Sequence, residues 1–167
     1  MNFDDKTYTN AQALAELYHD TSTFNEISGG SNELSEQSIA EQFAYIEEEF
    51  QEFVHGHLNN DLTETTDGIV DTFVTLFGYM QKIQKKYGID FAKAMELIGQ
   101  NNLDKYPCDE EVAIDTVEMY KNKGVETYYT YNSDYDCYVI RDKVTNKVKK
   151  PIGFKGVDLS SCFPTLQ

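Results

Sequence analysis

Tryptophan is absent from this 167-residue chain, and cysteine occurs only as Cys108, Cys137 and Cys162. Three widely spaced cysteines without a CxxC pair indicate neither a disulfide framework nor a zinc knuckle. A reduced, cytoplasmic setting is the expectation that follows. Uninterrupted apolar runs fall well short of the roughly 18–20 residues a membrane span needs. The opening residues, MNFDDKTYTN, are acidic and polar, unlike the basic and then apolar start of a signal peptide. Basic residues are scarce: 14 Lys and Arg face 29 Asp and Glu, giving a net charge of −15. Such a surface repels nucleic acid backbones, which are held by clustered Lys and Arg. Neither a nucleic acid polymer nor a membrane is therefore expected as a partner. Small anions remain possible, because a carboxylate-lined site binds a polyphosphate when divalent cations lie between the two.

The hydrophobic fraction is 40%, with 12 Tyr and 10 Phe, so a chain of one-domain length can build a core. The pattern predicts a mainly α fold, a bundle of four or five helices followed by a small C-terminal β-hairpin. Leu14, Leu17 and Tyr18 mark one face of a helix from Asn10 to about Ile27. Ser28 to Asn32, SGGSN, breaks it. Ser38 and Glu41 have capping-box spacing and are read as opening a second helix that runs to about Leu58. Asp61 can cap a third, running to Lys86 and stopped at Gly88. A fourth covers Asp90 to about Asn101, and a fifth Glu110 to Lys123, ahead of Gly124. Two Tyr- and Val-rich runs around Asn132-Ser133-Asp134 then signal a hairpin. The division expected is a helical bundle over 1–124 and a hairpin with its tail over 125–167, packed on the same domain.

The stretch IEEEFQEF, residues 46–53, places acids among aromatics. At about 100° per residue, Glu48, Glu52 and Glu49 fall at roughly 0°, 40° and 100°. Phe43, Ile46, Phe50, Phe53 and Val54 cluster between about 140° and 240°, and Glu47 lies near 260°. Three carboxylates share a face and one does not. A solvated face opposite a core stripe explains such a pattern by itself. The next helix adds a constraint. Asp67 and Asp71, four apart, stack on one face, directly beside Val70 and Val74 at the edge of the apolar stripe. A carboxylate there is costly unless paired or bound to a cation, and no Lys or Arg occurs between Lys6 and Lys82. Hard divalent cations take such oxygen ligands, and facing helices of a bundle supply them.

These residues resemble a known family, the all-α nucleoside triphosphate pyrophosphohydrolases, which include the MazG-like proteins and phosphoribosyl-ATP pyrophosphohydrolase. The family pattern is EExxE on one helix and ExxD on the next. Glu48-Glu49-Phe50-Gln51-Glu52 matches the first part. In Asp67-Gly68-Ile69-Val70-Asp71, Asp71 matches the terminal Asp, Gly68 stands where Glu is expected, and Asp67 is one position earlier. DGIVDTFVTLFGYM, Asn102-Leu103-Asp104-Lys105 and the ending KVKKPIGFKGVDLS are similar to a phage and bacterial branch of that family. The resemblance spans roughly 35–160. It implies Mg²⁺, with Mn²⁺ as a substitute, held by Glu48, Glu49, Glu52, Asp67 and Asp71. Glu48 and Glu49 are the implied catalytic residues, one of them accepting a proton from the attacking water, and Asn102 and Lys105 would contact substrate. The implied reaction cleaves a (deoxy)nucleoside triphosphate or related nucleotide to the monophosphate and pyrophosphate. The implied assembly is a homodimer or homotetramer with its site near a subunit interface. Two other readings compete: a nucleotide- or partner-binding protein of the same fold with weakened catalysis, Gly68 being the trace of decay, and a purely structural acidic helical protein.

Other residues carry plainer expectations. His55 reads as a histidine at a helix end near solvent, and His57 as a packed one. Lys82, Lys85 and Lys86 fit the last turn of their helix, where the dipole favours cations. The tyrosines of 125–140 suit a half-buried hairpin, and Lys147, Lys149 and Lys150 read as a solvated tail.

Overall fold

A computed structural model describes residues 5–164. It is mainly helical, with five helices and a small two-stranded antiparallel sheet near the C-terminus. Helix α1 spans Asp5–Ile27, α2 Glu36–Leu58, α3 Leu62–Tyr87, α4 Phe91–Leu103 and α5 Glu110–Asn122. Strands β1, Thr127–Asn132, and β2, Cys137–Asp142, form the hairpin. The helix α1 begins before the expected Asn10, since no Gly or Pro interrupts the chain between them. Packing separates two compact units: α1 to α3, up to Phe91, and Ala92–Cys162. Sequence alone drew its division after residue 124, where helix gives way to strand. The compact division falls earlier because α5 packs against both β1 and β2.

In the first unit α2 and α3 form a long antiparallel hairpin. Asp61 caps α3, its Oδ1 accepting from the N–H groups of Thr63 at 2.9 Å and Glu64 at 3.1 Å. Gly88 closes the helix with φ 68°, a left-handed conformation that glycine adopts without penalty. Helix α2 starts earlier than the Ser38 box suggests: Ser35 is the cap, and its hydroxyl accepts from the Ser38 N–H at 3.1 Å. Ser38 lies inside the helix and is buried.

Glycines set how closely the two helices approach. A Cβ placed on Gly68 would stand 2.5 Å from the Phe53 nitrogen and 2.8 Å from its Cα. One placed on Gly56 would stand 2.6 Å from the Thr65 nitrogen. Backbone therefore meets backbone across the α2–α3 seam, once from each helix. Further along, the Gln42 amide lies over Gly78 and donates to the Thr75 carbonyl at 3.1 Å. Helix α1 joins at this end, where the Tyr18 and Phe77 rings meet edge to face with centroids 5.1 Å apart.

Lys82 overturns its expected role at the helix terminus. It is buried, and its ammonium donates to the Gly30 carbonyl at 2.8 Å, the Glu33 carbonyl at 3.0 Å and the Ser38 hydroxyl at 2.8 Å. All three donors are used on neutral oxygens, which ties the break between α1 and α2 onto α3. Burial of this group without such partners would be costly.

In the second unit Ile140 and Ala113 are fully buried. Thr116 is too, its hydroxyl donating to the Val112 carbonyl at 2.6 Å and accepting from the Ile152 N–H at 2.9 Å. The tail folds back on β2: Lys149 N–H donates to the Ile140 carbonyl at 2.9 Å. The Lys149 ammonium, expected in a solvated tail, bonds Asp142 at 2.8 Å and lies over the Tyr120 ring. That bond, with the Thr145 and Val144 N–H groups, holds the Asp142 carboxyl far below the usual carboxylate range.

A methyl group at Gly68 has only backbone to displace. Gly68→Ala is expected to lower unfolding free energy by about 1–3 kcal/mol. Gly99→Ala is the opposite case: it lies inside α4 with nothing within 4 Å of its would-be Cβ, so about 0.5–1 kcal/mol of stabilisation is expected from helix propensity. Denaturant unfolding of the two variants checks the contrast.

Candidate functional site

Five of the acids that sequence singles out gather along one side of the α2–α3 seam. Glu48 and Glu52 are exposed on α2, and Glu49 is half-buried between them. On α3, Asp67 is exposed and Asp71 half-buried. Glu49 registers their proximity. Its carboxyl is pushed above the ordinary glutamate value, first by burial and then by the charges of Asp71, Glu52, Glu48 and Asp67. Asp71, on the facing helix, exerts the largest of these charge effects. Glu47 does not figure among them, as its helical angle predicts. None of the five forms an ion pair among the described residues.

The seam geometry explains the gathering. Gly68, pressed on Phe53, sits one residue from Asp67 and three from Asp71, while Phe53 follows Glu52. Close backbone approach leaves no room for side chains between the helices at that level, so the acids on either side face the same groove edge. The position where the family pattern calls for Glu is therefore one where this packing admits no side chain at all.

The donor set suits a hard divalent cation: all of it is carboxylate oxygen. Yet among the described residues no three His, Cys, Asp or Glu side chains stand close enough together to hold a metal ion as they are placed. Binding one would require rotation of the exposed Glu48, Glu52 or Asp67 about its side-chain bonds, which their exposure allows.

One acid escaped the sequence reading. Glu64 accepts at 2.7 Å from, or pairs with, the exposed His55 across the seam. With Asp67 and Asp71 it forms an i, i+3, i+7 series, a spacing that puts all three on one face of α3 and could have revealed it. His55 is thus exposed, as expected, but engaged with Glu64. His57, expected to be packed, is exposed at the end of α2 with its ring beside Phe53.

Asn102 and Lys105 belong to the second unit. Asn102 lies in the last turn of α4, and its Oδ1 accepts from the Lys105 ammonium at 2.7 Å. Both are reachable from solvent, Lys105 less so. They form a pair of their own, one cation and one amide, able to meet an anionic group.

Comparison with protein-family models, curated proteins and solved structures finds no match to this chain.

Crowded carboxylates carry a stability consequence with a definite sign. The folded value of Glu49 lies above its ordinary 4.5. Its ionisation is therefore harder in the folded chain, and stability falls as pH rises from that ordinary value through the raised one. Glu49→Gln removes the repulsion. In EDTA the variant is expected to melt higher than the parent at pH 7 and to lose that advantage near pH 4, as read by thermal unfolding at both pH values.

Proposed function

We propose that this chain is a Mg²⁺-dependent nucleotide pyrophosphohydrolase, splitting a (deoxy)nucleoside triphosphate or related nucleotide into the monophosphate and pyrophosphate. The observation that carries the reading is the half-buried Glu49, acted on by four further acids from two helices and in no ion pair among the described residues. That arrangement, with EExxE on α2 and Asp67 and Asp71 on α3, resembles the all-α nucleoside triphosphate pyrophosphohydrolases. Glu64-Thr65-Thr66-Asp67 is an acid pair in ExxD spacing, one turn earlier on α3 than the position the resemblance points to.

Glu49, Glu52 and Asp71 are the first ligands, with Asp67 and Glu48 completing the set. When bound, Mg²⁺ (or Mn²⁺) supplies charge neutralisation of the triphosphate and a more acidic water. Glu49, whose carboxyl already favours the proton more than an ordinary glutamate, is suited to accept one from an attacking water; Glu48, exposed, is the other candidate base. Water attack at the α-phosphorus breaks the bond to the bridging oxygen and releases pyrophosphate. Lys105, its ammonium donating to Asn102, is a cation of the second unit suited to an anionic group, and substrate contact by the two is what the resemblance implies.

A homodimer or homotetramer belongs to the same proposal. Much of the apolar stripe of α2 and α3 is exposed among the described residues: Phe50 is 47% exposed and Phe73 40%. Exposed aromatics on this scale are what a helical interface buries.

A second reading, nucleotide binding without hydrolysis, is favoured by one fact: Gly68 removes a carboxylate that the family pattern contains. A panel of ribo- and deoxyribonucleoside triphosphates with Mg²⁺, its products resolved by ion exchange, separates the two. Pyrophosphate and monophosphate support the enzyme. Stabilisation by a nucleotide with no product supports the binding protein.

Two substitutions test the site. Glu52→Gln is expected to reduce turnover by orders of magnitude while melting in EDTA stays level or rises, whereas Glu47→Gln leaves turnover near the parent's. Asp67→Asn is expected to shift the Mg²⁺ dependence of activity to higher concentration, with partial recovery in excess metal. A titration superimposable on the parent's would confine Asp67 to its helix-dipole contribution of about 0.3–1 kcal/mol.

A further inference from the structure

Cys108 and Cys137 are 29 positions apart in sequence, but the fold makes them neighbours. Cys108 follows Pro107 and immediately precedes Asp109, the cap of α5, whose carboxylate accepts from the Glu111 N–H at 2.9 Å. Cys137 opens β2. The N–H of Tyr138 donates to the Pro107 carbonyl at 2.8 Å. That one backbone bond brackets both cysteines. The Cα of Cys108 lies one peptide link beyond its acceptor, and the Cα of Cys137 two bonds before its donor. Standard bond lengths then limit the two Cα atoms to about 8 Å apart even if every link were collinear. Disulfides span Cα separations of roughly 4.4–6.8 Å, a range that lies within this limit.

The side chains agree with the backbone. Burial raises the Cys137 thiol, and the Cys108 thiol raises it further, the largest charge effect acting on it. Cys108 is exposed and Cys137 buried, and both are free. Cys162, the third free cysteine, is buried in a short 3-10 turn at Ser160–Cys162 and exerts no charge effect on Cys137.

We propose that Cys108 and Cys137 form a reversible disulfide, with Cys108 as the solvent-facing attacking thiol and Cys137 as the resolving one. The oxidant is a low-molecular-weight disulfide such as oxidised glutathione. The Cys108 thiolate attacks one sulfur of that disulfide; its S–S bond breaks and one glutathione leaves as the thiolate. The Cys137 thiolate then attacks the Cys108 sulfur of the mixed disulfide and expels the second glutathione. The protein loses two protons and two electrons, and the small disulfide becomes two thiols. A bond at this place ties the cap of α5 to the first residue of β2, the two elements that form the core of the second unit. The inference is independent of the reaction proposed for the acidic seam, which lies in the other unit.

The test is exposure of the whole chain to oxidised glutathione, followed by alkylation of remaining thiols and tryptic mapping. The expected result is one intramolecular link joining the peptide Tyr106–Lys121 to Gly124–Arg141, with Cys162 alkylated and the intact mass about 2 Da below the reduced chain. Dithiothreitol should restore all three thiols. Cys162→Ser should leave the link unchanged. In Cys108→Ser, Cys137 should remain a free thiol; in Cys137→Ser, Cys108 should stop at the glutathione adduct. Three results would each overturn the proposal: a Cys108 adduct in the parent chain that never resolves, a link involving Cys162, or a disulfide between two chains on a non-reducing gel. A parent chain in which neither thiol reacts would overturn it as well.

Discussion

Backbone-to-backbone contact between α2 and α3 is the constraint on which the first unit depends. Gly56 gives way to the backbone at Glu64 and Thr65, and Gly68 gives way to Phe53. Dispersion contacts between closely apposed main chains replace the interdigitated side chains of an ordinary helix pair. What lies beside the contact is then fixed. Glu49 and Glu52 on one helix and Asp67 and Asp71 on the other are brought to a common edge by residues that have no charge. The same closeness has a cost for the core. With little side-chain volume enclosed between the helices, Ile39 is the one large apolar side chain of the first unit that is buried among the described residues, and the aromatic stripe faces outward.

Much of this was legible from local rules. Asp61 was identifiable as a helix cap because an acceptor side chain before a periodic apolar run satisfies the free N–H groups of the first turn. Gly88 and Gly124 were identifiable as stops, and both adopt positive φ. The hairpin followed from Tyr and Val runs around a polar turn. The acidic face was visible from helical angle alone, and the charges acting on Glu49 are those that the angles selected.

What local rules missed depends on partners distant in sequence. Nothing near Lys82 announces that its acceptors are Gly30, Glu33 and Ser38, 44 to 52 positions away. Ser38 carries the spacing of a cap, yet Ser35 takes that role because Ser38 is needed inside, against Lys82. Lys149 reads as tail until Asp142 is placed beside it. Gly68 looks like an omission from a catalytic pattern when read along one helix; seen across the seam it is a packing requirement. The Cys108–Cys137 adjacency likewise exists only after the Pro107 carbonyl has met the Tyr138 N–H. Cysteine spacing rules look for short separations, and this one spans α5 and β1.

The charge distribution connects these points to the proposed chemistry. Residues 1–91 hold 17 Asp and Glu but four Lys, whereas 92–162 hold 12 acids and ten Lys and Arg. The three lysines of α3 are engaged away from the acidic edge: Lys82 on neutral oxygens, Lys85 on Asn32 and Lys86 on Glu36. Exposed Glu48, Glu52 and Asp67 need no partner, since water solvates them. Glu49 and Asp71 differ, because each is half-buried and Asp71 acts on Glu49 from the facing helix. Like charges in that position raise the proton affinity of one group or draw in a cation, and these are the two behaviours that metal-assisted hydrolysis uses. The physical case for a divalent ion therefore rests on the Glu49–Asp71 pair more than on the number of acids around it. In the proposed site the outer three would supply reach and charge, and the inner two the electrostatic demand that a cation would meet.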